Sequence, residues 1–202
     1  MTKLRRAAII AFLLHALAGA CMALILRHGL ETNPDFQGRL AFVAAQRALW
    51  TFAWLTWTAA ALAILYFYNT FTTTHGLSRF PVLLTAAALA PDLSAQAIEI
   101  GILPSITDRP ELFLIFHRTA VLLSGYVANG LYSISALILA WSTRGGYPSW
   151  VWLAGLAVGF SGLMLSAAAL LNSANGMFWT NVILLPTLLV WLAGVFFAIK
   201  MK

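Results

Sequence analysis

Charge, cysteine and catalytic signatures are all scarce in this sequence, and each shortage excludes something. Only 9% of the 202 residues are charged. A soluble globular domain carries about 25% charged residues, so that class is set aside. Cys21 is the one cysteine. It excludes an intrachain disulfide and any multi-cysteine metal site within one chain. No G-x-S-x-G, H-E-x-x-H, glycine-rich phosphate loop or C-x-x-C occurs, so no standard hydrolase, phosphate-loop or redox chemistry is indicated. Strand-like alternation is missing too, which argues against a membrane barrel.

What is present is apolar sequence, 61% of the chain. It comes in continuous runs of roughly 20 residues, the length that crosses a bilayer as a helix. Six spans are predicted: about Ala7–Leu26, Leu40–Tyr68, Phe80–Leu103, Leu112–Trp141, Trp150–Leu171 and Met177–Ile199. The expected fold is all-α, a polytopic six-transmembrane-helix bundle forming one domain over residues 1–202. The N-terminal stretch resembles a signal peptide, with a basic start and small residues near Cys21. Its apolar run continues to Leu26, so a retained first helix is expected.

The net charge of +6 does not indicate nucleic acid, because the basic residues are scattered or sit at span ends. They set an orientation instead. One face collects seven basic residues, Lys3, Arg5, Arg6, Arg79, Arg144, Lys200 and Lys202, and no acid. The other holds three, Arg27, Arg39 and Arg109, with Glu31, Asp35, Asp108 and Glu111. The positive-inside rule then places both termini in the cytoplasm. The first outer loop is the longest and is the candidate lid or partner contact.

Four charges are predicted inside spans: Arg47, Asp92, Glu99 and Arg118. Each costs about 2.5–3.5 kcal/mol at a helix centre, so such groups face the bundle interior and pair. Asp92, Gln96 and Glu99 share one helical face. Arg47, Thr51, Trp54 and Thr58 form a second polar face, and Arg118, Gly125, Asn129 and Ser133 a third, flanked by Tyr126 and Tyr132. Three such faces are expected to meet in a polar cleft open to the outer side. At ~1.5 Å per residue, Glu99, Arg118 and Arg47 lie about 6, 9 and 10 Å below their outer span ends, nearly level. Glu99 is therefore expected to pair with Arg118 or Arg47. Asp92 lies about 16 Å down, near the midplane and near the expected level of His15. Asp92 is read as the carboxylate that takes and releases a proton, with His15 as its partner. Pro91, just before it, frees a backbone acceptor.

No cofactor or metal is expected. Haem needs axial ligands at matching depth. His15 and His117 do not match, and His28 and His75 fall in loops. His28, His117 and Glu111 lack metal-ligand spacing. The alternative to a site is that the charge pairs only fix helix packing.

Trp141, Trp150, Trp152 and Trp179 lie near span ends, as an interfacial belt requires. Gly155, Gly159 and Gly162 allow close helix packing, against another span or another protomer. The segments ANGLYS (Ala128–Ser133) and WLAGLAVGFSGLMLS (Trp152–Ser166), with the six-span pattern, resemble uncharacterised six-span bacterial integral membrane proteins. That resemblance implies a bacterial inner membrane and no particular activity. The functional expectation is a membrane protein that binds or moves a small ligand or protons. The rivals are an accessory subunit of a membrane complex and an intramembrane enzyme acting on a lipid or quinone. The partners expected are the lipid bilayer and other membrane subunits or a second copy.

Overall fold

The computed structural model describes residues 1–198. Ile199, the expected end of the sixth span, and Lys200 and Lys202 of the basic count lie outside the described residues. The chain is all-α, with six helical segments long and apolar enough to cross a membrane: Lys3–His28, Arg47–His75, Phe80–Ser105, Pro110–Ser142, Ser149–Leu170 and Ala174–Ala198. It is an integral membrane protein of the multi-pass kind.

The α-helices run α1 Lys3–Leu24, α2 Phe36–Ala45, α3 Arg47–His75, α4 Phe80–Ala97, α5 Pro110–Val121, α6 Asn129–Ser142, α7 Ser149–Leu170 and α8 Ala174–Ala198. α1 packs on α3, α3 on α4, α4 on α6, α6 on α7, α7 on α8, and α8 returns to α1. The spans thus close a ring in chain order. Short connections enforce this, because neighbours in sequence become antiparallel neighbours in space. Arg5 lies 4.4 Å over the Phe196 ring, so both described chain ends meet at one end of the bundle, here the proximal end. The other is the distal end.

Local chemistry sets the boundaries. Thr2 caps α1 by accepting from the Arg5 amide at 3.3 Å. α3 stops at Gly76, whose φ of 62° is the left-handed conformation that glycine adopts without strain. Asn172 turns the α7–α8 hairpin at φ 57°.

The second span differs from the expectation that it starts at Leu40. Asp35 accepts from the Gly38 amide at 2.9 Å and starts a separate helix, α2. Gln46 then leaves helical geometry, with φ −113° and ψ 37°, and α3 begins afresh at Arg47. Two further helices carry π-helical turns. α4 continues into Ile98–Ile102, and α5 joins α6 through Leu122–Ala128. Such turns are rare and concentrate at functional positions.

The proximal half is filled by Leu4, Ala8, Phe67, Phe71, Leu139 and Trp191 with their neighbours. A distal cluster of Leu26, Val43, Trp50, Leu103 and Phe113 sits under the first long loop. The glycines of α7 serve packing within the chain. A Cβ on Gly155 would lie 2.8 Å from Ala140 and Trp191, while Gly159 faces Leu137 and Gly162 faces Ser133.

Candidate functional site

The most polar buried assembly lies at the distal end and joins four elements. α5 carries His117 inward, one turn after Phe113, which stacks on it at 5.9 Å and 16°. His117 Nε2 donates to Glu31 Oε2 at 2.6 Å. His117 Nδ1 lies 3.1 Å from Glu99 Oε1 on the π turn after α4. One imidazole is therefore bracketed by two carboxylates. Glu31 belongs to the long loop and its side chain is 22% exposed, whereas Glu99 is 2% exposed.

Arg39, on α2, completes the cluster. It is buried, donates from Nε to Gly29 O at 3.1 Å, and lies 5.6 Å from the Phe36 ring. Its charge acts on both Glu31 and Glu99. With His117 doubly protonated, two cations face two anions and the group is neutral. Burial pushes the Glu31 carboxyl up, but the hydrogen bond and charge of His117, with Arg39, outweigh that and hold it below the ordinary carboxylate value. The cluster is not fully satisfied. Glu99 Oε2, His117 Nδ1 and Arg39 Nη2 are buried without a hydrogen-bond partner. The His117–Glu99 approach is thus an ion-pair distance without hydrogen-bond alignment.

A second polar group lies deeper. Asp92 Oδ1 accepts from Ser124 Oγ at 2.6 Å, and Oδ2 accepts from Tyr132 OH at 3.2 Å. Ser124 is in the π turn between α5 and α6. Gln96 Oε1 accepts from Thr58 Oγ on α3. Asp92, Gln96 and Glu99 are all buried on one face of the third span, as their spacing predicts.

The expected arginine pairs do not form. Arg47 is exposed at the start of α3. Its expected depth counts from Leu40, which belongs to a different helix, α2. Arg118 donates to Ala169 O at 2.7 Å and Leu170 O at 3.0 Å, capping the C-terminus of α7. Consecutive helical residues point about 100° apart, and here His117 takes the inward direction while Arg118 takes the lateral one. His15 does not pair with Asp92. Its Nδ1 donates to Ala11 O at 2.8 Å and its ring meets Trp57 edge-on.

Asn129 donates to Ser124 O at 3.1 Å, beside the Asp92 group. Tyr126 is exposed and outside it. Trp54 is half-buried against Trp50 with its Nε1 unpartnered.

Sequence reasoning missed His117, Glu31 and Arg39 as one unit. One signal was available: His117 lies about 7.5 Å below its span end, close to the level of Glu99. No signal indicated that the loop would fold back to bring Glu31 onto it. Two open surface depressions, of about 470 and 380 Å³, are lined by Gln37, Leu40 and Asp108 and by Arg109 and Glu111. Neither is lined by Asp92, Glu99 or His117.

Among the described residues, no three His, Cys, Asp or Glu side chains are grouped to hold a metal ion. Glu31 and Glu99 approach opposite nitrogens of one ring and cannot converge on a common ion. No family model, curated protein or solved structure matches the chain.

Proposed function

We propose that this is a proton-handling membrane protein in which Glu31, His117 and Glu99 relay protons between the extracytoplasmic surface and the membrane interior. One observation carries the reading: a buried imidazole with a carboxylate at each nitrogen, one partly exposed and one fully buried. The basic residues of the proximal end, Lys3, Arg5, Arg6, Arg79 and Arg144, support placing that end in the cytoplasm and the relay on the outer side.

The step balances simply. Both ring nitrogens start protonated, with Nε2 donating to ionised Glu31. The proton on Nδ1 then passes to Glu99 Oε1. The ring is left protonated at Nε2, and the next cycle needs that proton lost or the ring turned. Asp92 lies seven residues farther along the same face, about 10 Å deeper. Held by Ser124 and Tyr132, it is the next carboxylate for the proton.

The test is proton uptake by reconstituted vesicles after an acid step, read with an entrapped pH dye. His117→Gln and Glu99→Gln should each abolish it in folded protein. Uptake at the wild-type rate in both variants would leave the cluster as a pin for the outer loop, the role of a structural subunit.

A further inference from the structure

The geometry points to Trp50 as the residue that positions Glu99, and we propose that its indole N–H holds the π turn in the register that aims the carboxylate at His117. In a regular α-helix the Glu99 carbonyl would accept from the Leu103 amide. Here the Leu103 amide donates to Ile98 O, as the π turn requires. The amide that would serve Glu99 at π spacing belongs to residue 104, which is proline and has no N–H. The Glu99 carbonyl thus loses both helical donors. A buried carbonyl without a donor is costly, and nearly all such groups find one.

Trp50 supplies it. Its Nε1 donates to Glu99 O at 2.8 Å across 49 residues of chain. The indole is fully buried, packed edge-on against Phe42 at 6.4 Å and against Gly29, where a Cβ would lie 2.5 Å from the ring. Gly29 also gives its carbonyl to Arg39. Trp50 is therefore built into the same cluster without touching the proton path. The α3–α4 contact, the π turn and the carboxylate direction are joined through one hydrogen bond.

The inference rests on the relay reading, but its main measurement needs no proton flux. Nitrogen-15 spectra of His117 in lipid nanodiscs report its two nitrogens separately. Trp50→Phe keeps an aromatic ring and removes the donor. It should shift the Nδ1 signal, which faces Glu99, and leave the Nε2 signal, which faces Glu31, in place. Proton uptake should slow by at least about tenfold, as small misplacements of reacting groups do. Pro104→Ala then offers Glu99 O a backbone donor at π spacing, so the double variant should return both readouts toward wild type.

An unchanged Nδ1 signal in Trp50→Phe overturns the proposal. So does a shifted signal that Pro104→Ala fails to restore, which would make Trp50 a matter of bulk. Should Trp50→Phe not accumulate, the double variant decides: a wild-type Nδ1 signal supports the proposal, and a shifted signal or failure to accumulate overturns it. A wild-type rate in Glu99→Gln alongside a shifted Nδ1 signal in Trp50→Phe would sink the relay and leave the positioning intact.

Discussion

Glu31 and His117 are 86 residues apart in the chain, yet their side chains meet at 2.6 Å. The contact folds the long distal loop onto α5, and it links a partly exposed carboxylate to a buried one through a single ring.

Acid should release that loop. The fold holds Glu31 below its ordinary value, so it favours the ionised form. The resulting stability is fully present above the ordinary carboxylate range, at neutral pH, and is lost as pH falls through the lowered folded value. Hydrogen exchange of residues 29–35 should therefore accelerate on acidification. Glu31→Gln should show fast exchange already at neutral pH and little further change.

His117 and Glu99 should behave as a coupled pair. Replacing His117 by Leu leaves Glu99 buried without its nearest cation, a change that costs about 3–5 kcal/mol for buried pairs. Glu99→Gln in the same chain should recover part of the loss. Thermal unfolding in detergent of both single variants and the double one measures the coupling, and strictly additive losses would argue against it.

Arg118 should matter for stability alone. Its two bonds to the Ala169 and Leu170 carbonyls cap α7. Hydrogen bonds from a charged group contribute about 1.5–3 kcal/mol. Arg118→Met should lower thermal stability by about that amount and leave the His117 nitrogen-15 signals where they are. A shift at His117 Nδ1 would place Arg118 in the relay after all.

Asp92→Asn keeps an oxygen for Ser124 and the shape of the side chain. It should accumulate like wild type and stop proton uptake beyond Glu99. Infrared difference spectra between acid and neutral pH should lose one carboxylic-acid band. Uptake and bands identical to wild type would remove Asp92 from the path.

Topology can be read with reporter insertions. One in the 32–35 loop and one at Gly145–Gly146 should report opposite sides of the membrane, the second cytoplasmic. Both on one side would contradict the six-span crossing.

The sequence by itself determined the helical class, the six spans and the shared face of Asp92, Gln96 and Glu99, because these follow from apolar run length and the 3.6-residue repeat. It also showed that buried carboxylates need partners. It could not choose them. Arg47, Arg118 and His117 all lay at plausible depths, and the choice turned on details that spacing does not carry. Asp35 caps a short helix and Gln46 breaks the chain, which moves Arg47 to the exposed start of α3. The π turns change the helical register at Ile98–Ile102 and at Leu122–Ala128. Glu31 and Arg39 come inward only because a long loop closes on α5. Hydrophobic periodicity is local and survives in the sequence. Partner choice among buried charges is non-local, and only tertiary packing decided it.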